Sequence, residues 1–377
     1  MSWSYTLGLR TKDSCLVSKR RMLPLMGQVL VEEGDVVESS TIVARTFIIG
    51  KEKVLLNMTR ILGLSKSSEV PPYMLKKVGD RVDKGEIIAY RRYTAFHFFE
   101  HEVICRSPIA GIMEWFFEDG DLSIKSLEAV NIEAFIPGRV TEVAPNRSVV
   151  IETPAALVQG TFGVGGETQG ELMLKSRSPH DTLSADAIGP EARGKILVGG
   201  SLVEGAALHK AVEMGVKGVI AGSVEYKALT ELTGHEMGVA ITGSEEVGLT
   251  LVVTEGFSRI SMAEKTFTLL KRFDGKLACI NGATQIRAGV IRPEIIIPRP
   301  ELEVSKVSET EPEGELTPGT PIRIIKDPYF GVFGQVRNLL VEPFKVESEA
   351  QLRVLEVDLV DGRRVIVPRA NVEVVEE

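Results

Sequence analysis

Between residues 20 and 175, apolar and polar positions alternate over short runs broken by glycine, a period of two that predicts β-strands joined by tight turns. A loose repeat runs through this stretch. Pro24-Leu25-Met26-Gly27-Gln28-Val29 leads to Gly34-Asp35-Val36-Val37. Further on stand Gly79-Asp80-Arg81-Val82-Asp83-Lys84-Gly85-Glu86-Ile87-Ile88-Ala89, then Pro108-Ile109-Ala110-Gly111-Ile112-Met113 and Gly120-Asp121. Each unit reads as a strand, a Gly-Asp turn supplying a positive φ, and a second strand. Val54, Leu55, Met58, Ile61 and Leu62 fall on one stripe and predict a helical interruption from about Val54 to Leu64.

From residue 190 to 298 the pattern becomes an alternation of buried strand and helix. Ile196-Leu197-Val198, Val219-Ile220-Ala221, Val239-Ala240-Ile241, Leu249 to Val253 and Leu277 to Ile280 are the expected strands. Ser201 with Glu204, and Ser261 with Glu264, match the spacing of capping boxes that would open two of the helices. The expectation is an open α/β sheet, parallel, with right-handed crossovers. Residues 299–318 are rich in Glu, Pro, Ser and Thr without a hydrophobic period, which predicts an extended acidic linker and a mobile C-terminal module. That module, residues 319–377, returns to short alternating strands, and Asp361-Gly362 between two of them signals a hairpin. The chain thus divides into a β domain with a helical insertion (1–175), an α/β sheet domain (176–298), the linker (299–318) and an all-β module (319–377).

Composition narrows the class. A 377-residue chain with 44% hydrophobic and 25% charged residues is globular and multidomain. The net charge of −8 argues against a sequence-independent hold on nucleic acid. Three cysteines, Cys15, Cys105 and Cys279, lie far apart without a CxxC pair. That spacing argues against a disulfide framework or structural zinc and for a reducing compartment. No run of eighteen apolar residues and no signal-type leader is legible, so a cytoplasmic protein without a membrane role is expected.

Candidate chemistry is sparse. His97-Phe98-Phe99-Glu100-His101 matches HxxEH, but zinc ligation by that motif needs a helix, and the string runs into Glu102 to Pro108 as a strand. No metal and no cofactor are expected. Gly160-Thr161-Phe162-Gly163-Val164-Gly165-Gly166 has neither phosphate-loop spacing and reads as a turn. His180, His209 and His235 look scattered and unaccompanied, and no nucleophile–base pair is legible. The better ligand candidates punctuate the strand ends: Gly199, Gly200, Ser201, Gly222, Ser223, Thr242, Ser244 and Thr254, with Asn281, Gln285 and Arg287 after the last strand. Outside the carboxyl ends of a parallel sheet, backbone N–H groups and helix dipoles attract anions, although βα turns use Gly and Ser for bending and capping in any case. In the C-terminal module, Tyr329, Phe330, Arg337, Arg363 and Arg364 combine aromatic and arginine groups suited to a partner. Residues 317–377 hold eight Lys and Arg against ten Asp and Glu, so phosphate tracking alone is disfavoured.

Three families are resembled, one of them faintly. The PxxGxV and GDxVxxGxxI halves resemble the barrel-sandwich hybrid of biotinyl and lipoyl domains. Similar modules serve as rigid platforms in the Rnf electron-transport complex and as insertions in RNA polymerase. The carrier lysine of that family stands at a hairpin tip, whereas Lys84 lies inside the GDxVxxG turn, so no swinging arm is implied. Gly194 to Ser223 faintly resembles a DRTGG regulatory domain. Gly319-Thr320-Pro321-Ile322-Arg323-Ile324, Pro328-Tyr329-Phe330-Gly331, Asp361-Gly362-Arg363 and Val367-Pro368 to Asn371 resemble the KOW domain of NusG-type elongation factors and certain ribosomal proteins. The departure is a longer, acidic loop from Val341 to Glu349. The resemblance implies an SH3-like barrel and a partner in the transcription or translation machinery, RNA polymerase or the ribosome, with RNA contact secondary. The leading expectation is a non-catalytic scaffold factor. A ligand-regulated sensor or enzyme with an anion site in the α/β domain, and a structural subunit of a homo-oligomer, remain as alternatives.

Overall fold

The computed structural model of the chain describes residues 9–95, 99–117, 119–234, 247–284, 291–302, 318–324, 329, 332–340, 344–345, 351–352, 354–360 and 362–374. Strands predominate and form several sheets, and the helices Gly205–Met214, Tyr226–Thr233 and Glu264–Arg272 are confined to the middle of the chain.

The repeat in the first part has a physical counterpart in two turns built alike. Gly34 (φ 97°) and Gly79 (φ 94°) take the left-handed region that a side chain would oppose. The following aspartates cap the turns: Asp35 Oδ2 accepts the Glu32 amide at 2.8 Å and Asp80 Oδ2 accepts the Lys77 amide at 2.8 Å. Val36–Val37 then pair with Gly138–Arg139, and Arg81–Val82 with Gly111–Ile112. At Gly111 and Gly138 a Cβ would stand 2.3 Å from the carbonyl oxygens of Lys125 and Glu152, so glycine is required where the strands cross. Arg81–Val82 belongs to a five-stranded sheet whose antiparallel spine is Ile42–Asn57 with Asp121–Glu133, whereas Val36–Val37 joins a second, larger sheet.

The helix expected from Val54 to Leu64 shrinks to one turn, Met58–Ile61. Val54, Leu55 and Leu56 stay in the strand, opposite Ile124, Ser123 and Leu122, because a partner strand is at hand. Asn57 ends that strand by accepting the Arg60 amide at 2.8 Å, which turns the chain and buries Met58 and Leu62.

A twelve-stranded sheet runs through the rest of the body and across residue 175. Its organising element is Ser148–Gln159. One edge carries Thr11–Met22 along most of its length; the other carries Gly138–Ala144 and then Glu294–Pro298. From Glu294–Pro298 the sheet continues through Leu277–Asn281, Glu167–Leu174, Ile196–Val198, Gly218–Val224 and Thr250–Phe257 to Phe162–Val164. Helices Gly205–Met214 and Tyr226–Thr233 cover one face, and Glu264–Arg272 covers the other.

Ile196–Val198, Gly218–Val224 and Thr250–Phe257 are parallel, as expected, but the sheet is mixed. Leu277–Asn281 runs antiparallel to Glu167–Leu174. The Phe273–Lys276 turn delivers it beside the carboxyl end of that strand, where the Gly275 amide meets the Leu172 carbonyl, without a crossover to the opposite edge. Neither capping box forms. The Ser201 hydroxyl donates to the His180 carbonyl at 2.9 Å, leaving Glu204 as an N-cap without a side-chain bond. The Ser261 hydroxyl meets His180 Nδ1 at 2.8 Å, and the Glu264 helix starts after Ala263. The strand expected at Val239–Ile241 lies outside the described residues.

The C-terminal five-stranded antiparallel sheet has the order Arg364–Pro368, Val354–Leu359, Phe333–Leu339, Pro321–Ile324, Val372–Val374. Ile322, Ile324, Val336, Leu355, Val357, Val365 and Val367 form its core. Its expected mobility is corrected by one contact. Arg323, alternating away from that core, donates from Nη1 to Glu255 Oε2 at 2.8 Å, and both side chains are buried. Glu255 belongs to Thr250–Phe257, so the C-terminal sheet is docked on the α/β sheet. Removing one partner of a buried pair costs about 3–5 kcal/mol. Cleavage within 303–317 should therefore leave two fragments that co-elute on gel filtration, while the same cut in Arg323→Ala should let them separate. Separation of the wild-type fragments would contradict the docking.

Candidate functional site

The predicted ligand residues at the strand ends are drawn together, but the chain itself covers them. Gly199, Gly200, Ser201, Gly222, Ser223 and Thr254 are all buried. A Cβ on Gly200 would stand 2.4 Å from the Ser178 carbonyl and 2.6 Å from that of Asp181, and one on Gly222 would stand 2.7 Å from the Met262 amide. Two segments therefore lie against these ends: 178–183 and 258–263. Hydrogen bonds engage the hydroxyls. Ser201 serves the His180 and Asp181 carbonyls, Thr254 serves the Ala221 carbonyl at 3.4 Å, and Ser223 donates to the Ser201 carbonyl while accepting the Ile260 amide at 3.1 Å. Their hydrogen-bonding capacity goes to the covering segments and to the neighbouring strand ends. Asn281 sits at the far end of its strand, with Oδ1 accepting the Ala283 amide at 2.9 Å. Thr242, Ser244, Gln285 and Arg287 lie outside the described residues.

The covering segment 178–183 is braced by Asp181. Its carboxylate accepts the Ser178 hydroxyl at 2.8 Å and the backbone amides of Arg177 and Ser178, and these bonds hold its pKa below the usual carboxylate range, the hydroxyl contributing most. A depressed folded-state pKa means stabilisation that is present above the unfolded value, ~3.9 for aspartate, and lost as the pH falls through the lower folded value. Asp181→Ala should accordingly lower Tm at pH 7, and its gap to wild type should close on acidification through that range. A gap that persists in acid would show that the carboxylate does not hold the segment.

One histidine proves to be accompanied. His180 reaches Ser261 through Nδ1 and lies 4.0 Å from Glu264 through Nε2. The three residues sit 81 and 84 positions apart or within one loop, a juxtaposition that only the folded chain reveals. His180 and Glu264 are 69% and 74% exposed, so the imidazole is solvated and lacks the desolvated setting that activates a serine nucleophile. In the HxxEH string, Glu100 and His101 lie on strand Phe99–Arg106, and the His101 ring stacks on Tyr93 with centroids 5.4 Å apart. His97 is outside the described residues. Gly165 (φ 96°) and Gly166 (φ 66°) make the tight turn expected after Phe162–Val164.

The C-terminal sheet brings four of the five predicted partner residues to its surface. Asp358 collects two of the arginines: Arg364 Nε donates to Oδ1 at 2.9 Å and Arg337 Nη1 to Oδ2 at 3.1 Å. Arg364 is the larger cause of the depressed Asp358 pKa and Arg337 adds to it; the same bond raises Arg364. Gly362 (φ 86°) closes the hairpin and presents Arg363, whose guanidinium lies 5.6 Å from the centre of the Tyr329 ring. Around these groups Phe333, Ile366 and Val360 are 38%, 44% and 78% exposed. Phe330 lies outside the described residues.

The residues missed in the sequence are Glu255 and Arg323. Glu255 sat in view between Thr254 and Gly256, but an acid closing an otherwise apolar strand names no partner 68 positions away. No protein-family profile matches the chain, and no curated protein matches it.

Proposed function

We propose that the chain is a non-catalytic scaffold factor of the cytoplasm. In this reading its N-terminal β domain is a barrel-sandwich hybrid acting as a rigid platform. Its C-terminal sheet is a KOW-type, SH3-like barrel that docks on the transcription or translation machinery. The observation that carries this reading is the open part of the C-terminal sheet. There Tyr329 with Arg363, and Arg337 with Arg364 around Asp358, stand among the exposed apolar side chains of Phe333 and Ile366. Aromatic and arginine groups beside exposed aliphatic surface are the composition of a protein hot spot. Asp358 partly neutralises the two arginines it holds, which favours a protein surface over a run of phosphates.

The test is binding to purified RNA polymerase and to ribosomes from the native host, with and without nuclease. Tyr329→Ala and Arg363→Ala should each weaken binding by ~2 kcal/mol, roughly thirtyfold, and nuclease should leave wild-type binding intact. Binding to neither assembly sinks the proposal. Binding abolished by nuclease and indifferent to both substitutions makes RNA the ligand.

A further inference from the structure

Strands Ile87–Ala95 and Phe99–Arg106 form a two-stranded sheet of their own. The first is held to the body near its base, by the Met74–Ala89 bridge and by the Leu75 amide on the Ile88 carbonyl at 2.9 Å. The outer edge of Phe99–Arg106 pairs with no other strand among the described residues. An unpaired edge is a template for another strand, and proteins ordinarily blunt it with charged side chains, lysine above all, with proline or with a bulge. Here the charges, Glu100, Glu102 and Arg106, are of both signs and so can complement a second copy. Between Phe99 and Arg106 there is no lysine and no proline, and the ladder irregularity falls at Ile87/Ala89, away from most of the edge.

The residues along this edge are self-complementary. Glu100, Glu102, Ile104 and Arg106 share one face by alternation; Ile104 is 43% exposed. Val103 and Cys105, on the other face, pack into the core of the domain, which fixes which way the strand faces. An antiparallel pairing of this strand with a copy of itself, centred on Val103, sets Glu100 of each chain opposite Arg106 of the other. It also sets Glu102 opposite Ile104 and keeps both cores on one side of the joined sheet. Centring on Glu102 would put that carboxylate opposite its own copy, and centring on His101 would oppose Glu100 and Glu102 twice. Like charges directly opposite are unfavourable and unlike charges favourable, which leaves the registers centred on Val103 and on Ile104, the latter setting Glu102 opposite Arg106. The Val103 register pairs the strand over 100–106 and the Ile104 register only over 102–106, so the longer overlap selects Val103.

We propose that the chain forms a two-fold dimer through this edge, with Phe99–Arg106 pairing antiparallel with the same strand of a second copy. The inference stands apart from the reading of the C-terminal sheet, which contributes nothing to it. Sedimentation equilibrium of the full chain at tens of micromolar should give twice the chain mass. Glu100→Arg, which opposes two arginines across the two-fold axis, should weaken self-association at least about tenfold. Glu100→Arg with Arg106→Glu should restore it. The local Glu100–Arg92 pair and the Arg106 bond to the Gly85 carbonyl are both lost in the double variant, so neither can account for a rescue. A wild-type monomer at that concentration overturns the proposal and leaves the edge to an extended peptide of another protein. An undiminished Glu100→Arg dimer, or a double variant that fails to re-associate, overturns it equally.

Discussion

Glu255 is the point on which three parts of the molecule depend. A carboxylate at the end of a fully buried strand is costly unless each oxygen finds a donor. Oε2 takes Arg323 of the C-terminal sheet, and Oε1 takes the Ala263 amide at 3.0 Å, just ahead of the Glu264 helix. Neighbouring amides in the same loop are distributed in a comparable way, Ile260 to the Ser223 hydroxyl and Met262 to the Pro179 carbonyl. The position of the helix, the cover over the strand ends and the docking of the C-terminal sheet are therefore coupled through a few adjacent groups. A change at Glu255 would be felt at all three.

At the other end, Ser148–Gln159 does comparable work through strand pairing and not through a buried ion pair. It is twelve residues long and buried along nearly its whole length, because strands lie on both of its edges. The strand therefore belongs at once to the glycine-punctuated N-terminal region and to the α/β sheet. Ion pairs reinforce the junction from Thr11–Met22, where Arg21 forks onto Glu167 at 2.7 Å and Lys19 reaches Glu294. These pairs are partly buried, so they resist screening better than the exposed Arg20–Glu142 pair, whose arginine lies between Lys19 and Arg21 on the same strand.

What was legible in the sequence was local. Gly34-Asp35 and Gly79-Asp80 announced their turns because the glycine and the aspartate act within three residues of one another. The strands around Ile196, Val219 and Leu251 and the hairpin at Gly362 were legible for the same reason. What depended on distant segments was not. Ser201 and Ser261 had the spacing of caps, but a hydroxyl bonds to whatever lies nearest, and the fold put the 178–183 segment there. The stripe from Val54 to Leu62 fits a helix as well as a strand, and Asp121–Glu133 decided between them. The same limit hid the continuity of the large sheet across residue 175, which rests on pairings between strands more than a hundred positions apart.

The docking of the C-terminal sheet also changes what its surface can do. Arg323 lies directly opposite Phe333 in the ladder, so the face that meets the body and the face that carries Arg337 and Arg364 are continuous. One end of that face is closed by Glu255, while the other stays open to solvent. A module swinging on a flexible linker would lose orientational freedom whenever it engaged a partner, and that loss opposes binding. A module already held by a buried pair has lost that freedom on folding. Whatever meets the open end therefore meets the α/β sheet in a fixed relation to it, and the body becomes part of the geometry that a partner must fit.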